Sequence, residues 1–242
     1  MKPGNRTSAT LHGLLLFAAL LCGFDALAVE SAVANVTELD GKAFAAITGG
    51  AMRTLRKNDQ LFQGERVITG RDSELEFKFT DGTTISLGAS TIVNVDNYAY
   101  RKTAESDAAP AAEPESFSMS ILRGTVRAFT GLLAKRRPGS VRFKTKVATI
   151  GIRGTHFAAE VEGDSATIIL LAQEDAGASN AIEVSNEFGK VEIDKAGWGT
   201  EIPDAMSPPS PPRQMRTTQS MNRVIRSLQT NRRVVVPRTH MR

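Results

Sequence analysis

Cysteine is all but missing from this chain of 242 residues: the one present, Cys22, lies in an apolar segment near the start. Once that segment is removed, the protein has no disulfide, no thiolate metal site and no cysteine nucleophile. A packed core must then supply its stability. Histidine is nearly as scarce, and His156 is the only one outside the two terminal segments. Catalytic triads and metal centres need several converging groups, which a lone histidine does not bring. No catalytic residue, metal or cofactor is expected, and alternation along its strand reads His156 as half-exposed. Long apolar runs are missing too. Leu11–Cys22 (LHGLLLFAALLC) falls short of the roughly 20 residues a spanning helix needs. With Lys2 and Arg6 before it and Ala26-Leu27-Ala28 after it, it reads as a secretory signal peptide over residues 1–28, cut after Ala28. Leu21 is too bulky for lipoprotein processing at Cys22. The expected location is periplasmic or secreted.

Acidic residues are absent from Ser207 onward, as is lysine, yet this stretch holds eight arginines. The whole chain carries only +4, so an acidic body is joined to an arginine-only tail. An exported location argues against nucleic acid as the tail's partner.

Between these ends, short alternating runs are cut by glycine. Leu75-Glu76-Phe77-Lys78-Phe79 alternates strictly, Asp81-Gly82 supplies a tight turn, and Thr84–Leu87 returns, which predicts a hairpin. Further strands are predicted at Ala43–Ile47, Glu65–Thr69, Ile92–Val95, Phe117–Ile121, Thr125–Phe129, Val141–Thr145, His156–Val161, Ala166–Leu171, Ile182–Ser185, Gly189–Ile193 and Trp198–Ile202. Their spacing points to an all-β fold of short antiparallel strands in a sandwich or roll over residues 33–202. Ile168–Leu170 reads as a strand buried on both faces. Gly64, Gly124 and Gly154 each open a strand, which suggests one local turn used repeatedly. Thr103–Glu115 (TAESDAAPAAEPE) is Ala/Pro/Glu-rich and reads as a mobile insertion loop. Ser207–Pro212 (SPPSPP) is a proline-rich linker. In the tail over 213–242, Met221, Val224, Ile225 and Leu228 fall on one helical face, predicting a short amphipathic helix at Gln219–Thr230. Val234–Val236 is a candidate edge strand.

The stretch Val147–Phe157 (VATIGIRGTHF) gathers the residues that most resemble a site. Neither a Walker loop nor a dinucleotide loop matches Gly151-Ile152-Arg153-Gly154. The residues read instead as a structural motif made of Gly151, Arg153, Gly154, Thr155 and Phe157. Gly151 and Gly154 permit unusual backbone angles at a corner, and Arg153 fastens it to backbone carbonyls or an acidic side chain. Asp81 and Gly82 are turn formers, since the rest of a calcium loop is missing. In the tail, Arg213, Arg216, Arg223, Arg226, Arg232 and Arg233 are candidates for contact with an anionic envelope surface. The helix itself is expected to dock on the protein's own body, with the envelope-surface contact as the alternative.

Four segments in order resemble the FecR-domain family. They are Asp59–Gly70 (DQLFQGERVITG), Glu74–Leu87, Leu122-Arg123-Gly124-Thr125-Val126, and Thr149–Phe157 (TIGIRGTHF). The resemblance implies a β-rich periplasmic or extracellular domain with no known catalysis. Family members in iron-uptake signalling link an outer-membrane receptor to an anti-sigma region through a transmembrane helix. Here the leader comes first and no second spanning segment is read, so a stand-alone exported domain is expected. It is read as a non-catalytic protein-interaction or envelope scaffold module whose partner is an envelope or outer-membrane protein. The alternatives are a periplasmic component of a sigma/anti-sigma type pathway and a protein that binds or acts on envelope polysaccharide. The sequence names no oligomeric state.

Overall fold

The computed structural model describes residues 31–47, 49–101, 114–154, 156–172 and 180–231, with side chains up to residue 226. The leader, most of the acidic insertion, Thr155, Arg232, Arg233 and Val234–Val236 lie outside the described residues. Among those described, no helix is long and apolar enough to cross a membrane.

The elements are β1 (Ala34–Asp40), β2 (Ala43–Ile47), β3 (Arg53–Thr54), β4 (Gln60–Leu61), β5 (Glu65–Thr69), β6 (Glu74–Phe79), β7 (Thr84–Leu87), β8 (Ile92–Ala99), β9 (Ser116–Phe129), α1 (Leu132–Arg136), β10 (Val141–Lys144), β11 (Thr149–Arg153), β12 (His156–Glu162), β13 (Ser165–Leu170), β14 (Ala181–Asn186), β15 (Gly189–Ile193), β16 (Trp198–Ile202), β17 (Arg213–Gln214) and α2 (Gln219–Asn231). The expected all-β class is what the chain adopts. Its strands form two layers. Sheet A runs β4-β1-β6-β7-β9-β12-β13-β16-β17. Sheet B runs β3-β2-β5-β8-β9-β10-β11-β14-β15. β10 lies parallel to β9 and the other pairs are antiparallel.

β9 belongs to both sheets. Its first half pairs with β8 and β10, its second half with β7 and β12. The sequence suggested two strands broken at Gly124; the chain instead makes one strand with a bulge. Ile92 faces Arg123 and Val93 faces Ile121, leaving Leu122 as the extra residue. Phe117, Met119 and Ile121 point inward before the bulge, and Val126 and Ala128 after it. The extra residue shifts the two-residue alternation by one, so both halves keep an apolar face on the same core. Gly124 holds φ +91, and a Cβ there would sit 2.6 Å from Thr91 Cα.

Between the sheets the core is continuous. Phe79 of sheet A meets Tyr98 and Phe117 of sheet B at ring separations of 4.9 and 4.8 Å. Phe143 of sheet B meets Phe157 of sheet A at 4.9 Å. The first two pairs are tilted and the third is edge-on; such aromatics bury large areas each, so few are needed.

The described part of the tail, residues 213–231, joins this body. Ser207–Pro212 returns along β16: Ser210 N–H donates to Glu201 O (2.9 Å), and Thr200 Oγ1 donates to Ser210 O (2.7 Å). β17 then pairs with β16. α2 forms one residue longer than its apolar periodicity predicted, with Thr218 Oγ1 accepting Met221 N–H at 3.2 Å as a cap. It docks on the outer face of sheet A, where Met221, Ala158 and Ile169 form a second buried cluster. This explains why Ile168, Ile169 and Leu170 are all buried: the core covers one face of β13 and α2 the other. Gly88 leaves room for the helix, since a Cβ there would come 2.8 Å from Val224 Cγ2. Met221→Ala should cost about 2–3 kcal/mol and lower the melting temperature, as read by calorimetry; an unchanged midpoint would show that α2 does not hold to the sheet.

Candidate functional site

Every time the chain passes from one sheet to the other, the ladder ends and buried amides lose their strand partners. Side chains must replace those partners. The densest cluster of them stands at the β6–β7 turn, a hairpin within sheet A whose Asp81 reaches β8 of sheet B and α1, the link from β9 to β10. The Asp-Gly step suggested a two-residue hairpin with positive φ at both positions, but only Gly82 adopts it, at φ +89. Gly82 N–H donates to Phe79 O (3.0 Å) and Phe79 N–H to Thr83 O (2.8 Å), which is the three-residue loop closed by a glycine bulge. That geometry turns Asp81 inward, and it is 2% exposed. Its carboxylate accepts Thr83 N–H (2.9 Å), the Thr83 hydroxyl (2.9 Å) and Leu133 N–H (3.3 Å). Its carbonyl accepts Leu132 N–H (2.9 Å). Its own N–H donates to the Tyr98 hydroxyl (2.8 Å), which also shares a hydrogen bond with Thr80 (2.9 Å). Asp81 therefore ties β6, β7, β8 and α1 together. Gly131 completes the joint: its N–H donates to Thr83 Oγ1 (2.9 Å), and a Cβ would lie 2.5 Å from Thr83 N.

Two other joints follow the same logic. Glu65, 3% exposed, takes both arms of Arg53 at 2.9–3.1 Å and Phe62 N–H at 3.0 Å. Arg53 also donates to Gln60 O, so the fork holds the segment from β3 to β5 in place. Thr69 Oγ1 donates to Gly88 O (2.6 Å) and accepts Thr91 N–H (2.9 Å). Thr91 Oγ1 in turn accepts Thr125 N–H (3.0 Å) beside the β9 bulge. Glu65, Thr69 and Thr125 stand within the segments quoted above, but their roles were not legible there. A carboxylate next to a glycine turn looks solvated until the fold brings an arginine to it.

The residues singled out in Val147–Phe157 separate. Gly154 holds φ +60 between β11 of sheet B and β12 of sheet A, and Phe157 is fully buried in the core. Gly151 is no corner: it lies mid-strand opposite Arg142 and Glu183, and a Cβ there would make only ordinary contacts at 3.8 Å or more. Arg153 pairs with Glu192 at 3.0 Å, both side chains about half exposed, so its partner is an acidic side chain on β15, the second of the two partners expected for it. His156 is not half-exposed but buried, because Phe129 stacks edge-on at 5.8 Å and two polar partners enclose it. Arg127 Nε donates to His156 Nε2 (2.6 Å), which leaves Nδ1 to carry the proton and donate to Ala172 O (2.8 Å). Arg213 pairs with Glu201 on β16. Arg216, Arg223 and Arg226 are exposed. Arg232 and Arg233 are outside the described residues.

Residues 65–174 match the family model described as FecR protein. The chain carries a FecR domain over this span. The matched span runs from Glu65 through Asp81 and the β9 bulge past the end of β13, so it contains Glu65, although not its partner Arg53, and the other joints described above. Among solved structures, the FecR-domain chain is similar to one titled "Cell surface anchoring domain", at 34% identity over 26% of this chain and 84% of that chain, with a TM-score of 0.26. Two crystal structures from Parabacteroides distasonis, titled as an anti-sigma factor, are 13% and 12% identical with a TM-score of 0.42 each. The alignment covers 68% of this chain and 64% of each of theirs. No curated protein matches the chain.

The joints should dominate stability. Asp81→Ala strands three buried donors and should cost about 3 kcal/mol or more, whereas exposed Arg153→Ala should cost less than about 1 kcal/mol. Urea unfolding that ranked them the other way would refute this assignment. Burial, reinforced by the Asp81 charge and only partly offset by Thr80, pushes the Tyr98 hydroxyl well above its ordinary 10.0. The unfolded chain then loses this proton first, so Tyr98 contributes stability that is complete below pH 10 and is lost as pH rises further. Unfolding curves of the protein and of Tyr98→Phe, compared between about pH 8 and 11, should diverge at neutral pH and converge on the alkaline side.

Proposed function

We propose that this FecR-domain protein is an exported, non-catalytic recognition module that serves regulatory signalling in the cell envelope, where it meets a protein partner. The observation that supports this reading is the use made of the polar residues within the family match. Glu65, Thr69, Asp81, Thr91 and Thr125 are all buried; four of them stand where the chain crosses between sheets, and Asp81 ties a hairpin of sheet A to β8 and α1. The matched residues thus build a rigid two-layer platform, and recognition falls to what the platform presents. Among the described residues, β15 pairs only with β14, and an edge strand of this kind offers unpaired backbone groups to an incoming strand. Lys190 and Glu192 alternate outward along it, which guards the edge against indiscriminate pairing.

A photoreactive residue at Lys190 in living cells should crosslink an envelope protein, and the same residue at Asp164 in the β12–β13 turn should not. Loss of that partner should change transcription of a defined set of genes. The protein recovered from cytoplasm with Met1 intact, or a partner captured with no transcriptional consequence, would reject the exported regulatory reading; the second result would leave an envelope scaffold.

A further inference from the structure

Cations gather at one end of sheet B. α1 ends in Lys135 and Arg136, Arg137 follows, and Arg142 faces outward on β10. Backbone bonds draw these together with the end of β8. Phe117 N–H donates to Ser140 O (3.1 Å), Gly139 N–H to Ile152 O (3.0 Å), and the Arg136 guanidinium to Arg101 O (3.1 Å). Arg136 also lies over the Tyr100 ring, 5.4 Å from its centroid. Lys135, Arg137 and Arg142 are exposed, and none has an ion-pair partner among the described residues. α1, its exit and β10 thus carry exposed charge of one sign, and such a field favours an anion at this end of the protein.

One carboxylate already shows how an anion sits here. Glu115, 14% exposed, accepts Arg101 N–H at 3.0 Å and lies 3.7 Å from Arg136. A backbone amide and a guanidinium converging on one carboxylate is charge-assisted recognition of an acidic side chain. The three neighbouring cations have no such partner.

We propose that this end of sheet B binds an extended acidic polypeptide segment, whose carboxylates engage Lys135, Arg137 and Arg142 beside Glu115. The proposal rests on the reading of the domain as a recognition module and assigns the chemistry of its partner. A polypeptide fits better than a phosphate-bearing surface, because the anion seated here is a side-chain carboxylate held partly by main chain. The half-exposed Leu132 on α1 also offers an apolar contact between charges.

The test uses the full-length purified protein and a fluorescein-labelled peptide of alternating Glu and Gly, read by anisotropy. Binding should weaken as salt is raised from about 50 to 150 mM. The triple variant Lys135→Glu, Arg137→Glu, Arg142→Glu should lose at least about tenfold in affinity. A control with Arg216→Glu and Arg223→Glu should stay within about twofold. Glu115→Gln, which removes the resident negative charge, should tighten binding by about threefold. Melting curves should show both charge-reversed proteins folded, since these side chains are exposed. No binding by the unaltered protein, equal binding by the triple variant, or an equal loss in the control would overturn the proposal. So would phosphatidylglycerol vesicles that bind through these residues while the peptide fails to compete. Crosslinking from Lys190 is independent of this patch, so a failed peptide assay with intact crosslinking removes the patch and leaves the recognition module standing.

Discussion

A strand that leaves one sheet for the other abandons its ladder, and the amides freed at that point lie too deep for water to reach. Each crossing in this protein must therefore bring its own acceptors, and the whole two-layer arrangement depends on that replacement. Asp81 is the clearest instance, because one side chain and its own peptide groups satisfy donors from its turn and from α1. Removing an acceptor from such a place leaves several groups unsatisfied at once, which costs more than the bond it made. Thr69, Thr91 and Glu65 act in the same way with hydroxyls and a bidentate arginine. Glycine does the complementary task at Gly124 and Gly131, where backbones approach too closely for any side chain.

Crossings held this firmly leave the two outer faces to differ. Sheet A carries apolar Ala158 and Ile169 outward and is covered by α2. Sheet B exposes charged and hydroxyl side chains, with Arg142 and Lys144 on β10. The arginine-bearing helix therefore does not hang free, because its apolar stripe is already engaged by the protein's own sheet. What it presents to the surroundings is its charged face.

Strand identity was legible because burial on one face leaves a two-residue alternation, and β2, β5, β15 and β16 begin and end where the alternation does. The helix α2 was legible for the same reason at helical spacing. β1 was missed because its alternation stops after Ala34 and Val36, where a bulge shifts its register on β6; the other missed elements share a different cause. β3, β4 and β17 are two-residue pairings that exist only because a neighbour passes beside them, and α1 is a single turn held by Asp81. Neither carries enough residues to display a period. The site residues were legible only in part. Arg153 was marked by its flanking glycines yet makes an exposed pair, while Arg127, unmarked, holds a buried histidine. Local context tells a residue's conformational setting, but not the partner that long-range pairing brings to it.

By itself the sequence determined the all-β class, the turn glycines Gly64, Gly82, Gly124 and Gly154, the amphipathic tail helix and the segments that resemble the family. All of these follow from residues close together in the chain, through steric limits on φ and from periodic burial. Only the tertiary structure decided that β9 serves both sheets, that α2 closes the outer face of sheet A, and that Asp81 and Glu65 are buried acceptors. Those outcomes depend on contacts between residues tens of positions apart, as with Asp81 and Leu133 or Thr91 and Thr125. A carboxylate's burial is set by what the fold packs around it, and that is not written in its immediate neighbours.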